Sequence, residues 1–177
     1  MSLVEPRLFI GAGDQTSYLR SAGQGLVPQT AQAAASRYLN IRGGLIDDTL
    51  LDCYWQCKEQ VATLMQADAE DIAFMGSTSD ACGAITSLID WQPGDEVVLV
   101  SDTLEFPSVT LSVRHLERQG VAIREVSAPE LIVAPSAISE AITSRTRLVF
   151  VSHVSYRTGH RFCLKELSDA VRATGDA

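Results

Sequence analysis

What this sequence is short of narrows the field first. It has only two lysines, Lys58 and Lys165, and 14 Lys and Arg stand against 22 Asp and Glu for a net charge of -8. Proteins that bind a phosphate backbone present clustered cations, so this acidic balance excludes nucleic acid as the main partner. No apolar run approaches the roughly 20 residues that span a bilayer, and the N-terminus has neither the basic start nor the apolar block of a signal peptide. The expected location is cytoplasmic, with no membrane partner. Four cysteines are present, Cys53, Cys57, Cys82 and Cys163, with neither zinc-finger nor C-x-x-C spacing. They read as reduced, mostly buried thiols. No His, Cys, Asp or Glu set has metal-ligand spacing, and no serine stands in a G-x-S-x-G elbow.

What remains is an ordinary globular composition, 46% hydrophobic and 20% charged, long enough for a sizeable core. Ile10 to Asp14 reads as a turn, because a nucleotide glycine loop needs a strand before it and a helix after it. Pro28 opens a helix that Ala31 to Leu39 continues. From about Asp47 to Met65 an amphipathic pattern places Leu50, Leu51, Tyr54, Trp55, Val61, Leu64 and Met65 on one face, and the aromatic pair is expected in the core. Asp68, Glu70 and Asp71 form a solvated turn.

Beyond this turn the chain alternates. Strands are expected at Ile72 to Met75, Glu96 to Val100, Val121 to Val126 and Arg147 to Val151. Helices follow at Asp80 to Ile89, Val109 to Gln119, Pro135 to Ile142 and Leu164 to Ala173. This order predicts an α/β fold in three layers, a mainly parallel sheet with helices on both faces. The expected organisation is an N-terminal helical segment, 1–66, and the first part of a larger sheet domain, 67–177.

The chemistry concentrates at Ile72-Ala73-Phe74-Met75-Gly76-Ser77-Thr78-Ser79-Asp80. Gly76 permits a tight path, and Ser77 to Asp80 are residue types that cap helices. The free amides and dipole of a helix start make an anion site that suits a phosphate. Glu105 reads as a loop cap rather than an acid, His153 as a structural loop residue, and His115 and His160 as exposed. Lys58 and Lys165 read as surface lysines.

Four stretches together resemble the class V aminotransferases, pyridoxal-phosphate enzymes of fold-type I. They are Tyr18 to Gly25, Phe74 to Ala81, Gly94 to Val97 with Glu105-Phe106-Pro107-Ser108, and Val151 to Gly159. The resemblance implies a pyridoxal 5'-phosphate cofactor, an amino-acid substrate and a homodimer. Gly76, Ser77 and Thr78 would cup the phosphate, Phe106 would stack on the pyridine ring and Tyr156 would reach the ring oxygen. Relatives often carry a polar residue at the position of Val109, and desulfurases often have Asn at that of Tyr156. Desulfurases usually place histidine where Phe106 stands. Phe106, with Tyr156-Arg157-Thr158-Gly159, therefore leans toward kynureninase-like, epimerase-like or true aminotransferase branches.

In such relatives an aspartate pairs with the pyridine nitrogen and a lysine forms the Schiff base, both beyond Ala177 in the family's order. The resemblance implies an N-terminal portion that supplies the cup and the stacking ring, with no catalytic residue of its own. The missing C-terminal part or another chain would complete it. The alternative is a non-catalytic remnant or anion- or partner-binding module.

Overall fold

A computed structural model describes residues 5–12, 18–20, 23–43, 49–101, 103–128 and 130–174. The chain divides into two compact units, Met1–Phe74 and Met75–Ala177.

The first unit is helical. Pro28 caps α1, Gln29–Arg42, with its own extended backbone, and α1 buries none of its residues. Upstream, Phe9 bridges Pro28 and Gly11 turns at φ 75°. The last part of the expected turn, 13–14, lies outside the described residues. α2 spans Thr49–Met65. Its expected apolar face is largely exposed: Leu51, Tyr54, Trp55, Leu64 and Met65 are all open to solvent. The expectation of a core tyrosine and tryptophan is thus overturned. Tyr54 instead meets Trp55 and Phe74 edge to face, with ring centroids 5.5 and 5.8 Å apart. Lys58 reverses its expectation too. Its side chain folds under these rings, Nζ 4.7 Å from the Trp55 centroid, and the residue is buried, because a long alkyl stem covers apolar surface while the ammonium meets a π face.

The second unit holds the sheet. Its helices and strands, continuing the numbering in chain order, are α3 (Thr78–Leu88), β1 (Glu96–Val100), α4 (Pro107–Arg114), β2 (Ala122–Val126), α5 (Pro135–Ala141), β3 (Thr146–Phe150) and α6 (Leu164–Arg172). The sheet is parallel in the order β2-β1-β3. The expected strand at Ile72 to Met75 is not one. Ile72 has extended backbone, yet among the described residues this segment has no ladder partner, and a strand is a property of a pair. The expected helix Val109 to Gln119 begins two residues earlier, at Pro107, and tightens to a 3₁₀ turn from His115 to Gln119 before Gly120 ends it at φ 84°.

β1 is buried along its whole length, so its alternation divides the core. Val97 and Leu99 pack with Cys82 of α3 and with Val109, Val113 and Leu116. Val98 and Val100 pack on the other face with Ile138 of α5 and Leu167 of α6, joined by Val126, Val133 and Phe162. This is the three-layer arrangement, with helices on both faces of a parallel sheet. The cysteines depart from expectation: Cys82 is buried, whereas Cys53, Cys57 and Cys163 are exposed free thiols.

Candidate functional site

In a parallel sheet covered by helices, each helix runs back against the strands. α4 leaves the carboxyl end of β1, and α3 enters that strand from its amino end, so both helices begin at the carboxyl edge of the sheet. They pack side by side through Cys82, Val109 and Val113. Their first residues are the ones the sequence singles out.

Ser77 is the N-cap of α3. Its backbone is extended and its Oγ accepts the Asp80 amide at 3.1 Å. The first amides of an α-helix have no intrahelical acceptor, so those of Thr78 and Ser79 face outward with the positive end of an 11-residue helix behind them. Gly76, Ser77 and Thr78 are all exposed. A Cβ on Gly76 would lie 2.8 Å from Asp80 Oδ2, so the glycine leaves room for that carboxylate to fold back over the loop. The pairing of a cap serine with an acid three residues on is a capping-box spacing. An anion at this helix end shares it with Asp80.

Phe106 is the N-cap of α4, with Pro107 in the first turn. The Phe106 carbonyl accepts the Val109 amide at 2.9 Å, and its ring is 51% exposed. Tyr156 meets it edge to face, centroids 5.1 Å apart and planes at 83°. Phe106 and Tyr156 therefore form one exposed aromatic corner, which the sequence expectation treated as two separate contributions. Val109 is buried beneath it and has no polar group to offer.

Glu105 holds this corner in place. It is 2% exposed, and its two carboxylate oxygens accept the Ser152 amide at 2.7 Å and the Ser152 hydroxyl at 2.6 Å. Beside it, the buried Ser155 hydroxyl donates to the Leu104 carbonyl at 3.2 Å. The loop leaving β1 is thus tied to the loop leaving β3, the two that carry Phe106 and Tyr156. Reading Glu105 as a loop cap missed this reach across 47 positions. The signal lay in its setting, an acid between Leu104 and Phe106 just past the apolar run Val97 to Val100. Behind α3, burial and then the negative charge of Glu105 push the Cys82 thiol above its ordinary range.

The remaining candidates stay apart. Lys165 is exposed and pairs with Asp169 at 2.6 Å. Lys58 belongs to the first unit. The His153 side chain is exposed, and the hydrogen bond formed there is made by its main-chain carbonyl, from the Phe162 amide at 3.0 Å. His160, expected exposed, is half-buried with its ring 4.9 Å from that of Phe162. Among the described residues no group of three or more His, Cys, Asp or Glu could hold a metal ion, and no helix is long and apolar enough to cross a membrane.

The family model for aminotransferase class-V matches residues 17–177. The probable cysteine desulfurase of Methanothermobacter thermautotrophicus is 31% identical over 121 residues, covering 68% of this chain and 30% of that protein. The isopenicillin N epimerase of Streptomyces clavuligerus is 32% identical over 126 residues, covering 68% and 31%. The chain spans about 30% of the length of these curated relatives. Among solved structures, a C-DES mutant with glycine covalently linked to its PLP cofactor matches with a TM-score of 0.82 at 22% identity, over 96% of this chain and 46% of that one. The cysteine desulfurase CsdA of Escherichia coli matches with a TM-score of 0.81 at 20% identity, over 96% and 45%. These likenesses carry the three-layer fold, and the family match adds the lineage: the chain belongs to the class-V aminotransferases.

Proposed function

We propose that this chain forms the cofactor-holding face of a pyridoxal-phosphate-dependent enzyme acting on an amino acid. The observation that carries the reading is the meeting of two helix starts at one sheet edge, one bearing an anion-ready cap and the other an exposed, clamped aromatic ring. The residues fit such a cofactor. The free amides of Thr78 and Ser79 with the hydroxyls of Ser77 and Thr78 would hold the phosphate, Gly76 lets the backbone approach, Phe106 would cover the ring and the Tyr156 hydroxyl would hydrogen-bond its oxygen. Pyridoxal phosphate, when bound, supplies an electron sink for chemistry at the carbon bearing the substrate's amine. This chain's own residues contribute anchoring and orientation: the phosphate grip is remote from the reacting carbon, and the flat side chain fixes the plane to which the labile bond must stand perpendicular.

Phe106 carries no titratable group, so it stacks without moving protons. That supports a kynureninase-like, epimerase-like or true aminotransferase branch over a desulfurase. We further propose a cytoplasmic homodimer.

Titration with pyridoxal phosphate, followed by absorbance, tests the reading. Inorganic phosphate should compete. Ser77→Ala and Thr78→Ala should each weaken binding on the order of tenfold, as expected for a lost hydrogen bond to a charged group. Affinity indifferent to both substitutions would remove the cup from the site. A second reading, a module that holds a phosphate-bearing ligand without turnover, is favoured by the lysines, since Lys165 is ion-paired and Lys58 lies against aromatic rings. It expects binding that borohydride does not fix to either lysine.

A further inference from the structure

Two of the exposed thiols share more than a helix. Cys53 and Cys57 stand four residues apart on α2, one turn of one face, where Cβ atoms lie about 5–6 Å from each other. Both line a single cavity of about 310 Å³ within the first unit, whose other walls are Tyr38, Leu50, Tyr54 and Phe74. Its lining is aromatic and aliphatic apart from the two sulfurs. Cys53 also borders a neighbouring cavity of about 680 Å³ between α1 and α2. Neither thiol is oxidised to a disulfide, and the cup and its aromatic corner use neither.

A pair of thiols at this spacing has too few ligands for a structural zinc site, which takes four. It suits a soft centre content with two sulfurs. Two bonds of about 2.3 Å, the length of zinc–thiolate bonds, meeting near a right angle at a pyramidal centre, join sulfurs roughly 3.5 Å apart, a separation that side-chain rotation can reach from these Cβ positions. Sulfur ligands select soft partners over hard ones, and the walls accept an apolar substituent rather than a hydrated ion.

We propose that Cys53 and Cys57 form a dithiol site for a soft, thiophilic centre carrying an apolar group, the chemistry of a monosubstituted trivalent arsenical. In the capture step both S–H bonds break and two As–S bonds form. The arsenical's oxygen leaves as water with both protons, and arsenic stays trivalent, so no electron acceptor is needed.

Phenylarsine oxide is the probe. The native chain should show three thiols reactive toward Ellman's reagent, because Cys82 is buried and the other three are exposed. One equivalent of the probe should leave one, Cys163, and intact mass should rise by that of one phenylarsine oxide less one water. Cys53→Ser and Cys57→Ser should each weaken capture at least tenfold, whereas Cys163→Ser should leave it unchanged. Serine is nearly isosteric and both positions are exposed, and unchanged circular dichroism would verify the fold. An adduct mapping to Cys163, one arsenic joining two chains, or full affinity in either single variant would overturn the site.

Discussion

The two units bury their apolar residues in opposite ways. In the sheet unit every residue of β1 is buried and each face has its own cluster. In the helical unit α1 buries nothing and α2 leaves most of its apolar stripe in solvent. The same amphipathic signal in sequence therefore has two outcomes. A hydrophobic pattern states that a face wants a partner; where that partner sits is a separate matter. An exposed stripe of this size marks a surface suited to association.

Substitutions ranked by size sharpen this contrast. Leu99→Ala removes a fully buried side chain between α3 and α4, and chemical denaturation should register a loss of about 2–5 kcal/mol. Glu105→Ala strips both acceptors from Ser152, and the unpaired amide should cost about 1–3 kcal/mol. It should also loosen the Phe106–Tyr156 corner, visible as broadened ring resonances by NMR; sharp, unshifted resonances would mean that the corner stands without its clamp. Ser77→Ala removes the cap of α3 and should cost about 1 kcal/mol.

A pH-dependent effect comes next. The folded chain holds the Cys82 thiol above its ordinary value. The stability that this lends is complete below the unfolded thiol's range and is lost as pH rises through the folded value. Alkaline denaturation should therefore steepen in the wild type relative to Cys82→Ala, and parallel curves would count against it. The smallest effect is expected at the 84% exposed Leu64 of α2, where Ala should change stability by no more than about 0.5 kcal/mol. A cost near that of Leu99→Ala would break the comparison, for it would mean that the stripe is covered in solution.

Much of the second unit was legible in the residues. Glu96 to Val100 could be read as a doubly covered strand because nothing polar follows its first residue, and Pro135 and Gly120 mark helix boundaries through fixed φ, a missing amide and left-handed backbone, whereas α4 starts at Pro107, two residues ahead of the expected Val109. The helix cap at Ser77 followed from capping chemistry alone, although the helix begins at Thr78 rather than Asp80. Non-local facts were not legible. Ile72 to Met75 has strand composition, but pairing depends on a neighbour far away in the chain. Burial of Lys58 under Trp55, and the hold of Glu105 on Ser152, arise from meetings that no local window contains.

The all-buried β1 has one more consequence. Because Val97 to Val100 are apolar on both faces, polarity along that run cannot tell it which way to face, and a slip of one residue would exchange one hydrophobic set for the other with little change in burial. The strand's zero mark must lie at its end. There Glu96 accepts the Thr143 hydroxyl at 2.6 Å and lies 3.6 Å from Arg124, while the pairing with β3 shifts between Glu96 and Val97. A single acid at the foot of the strand thus indexes everything at its head: with about 3.3 Å per residue, an error of one step would carry Phe106 away from Tyr156 by most of their ring separation.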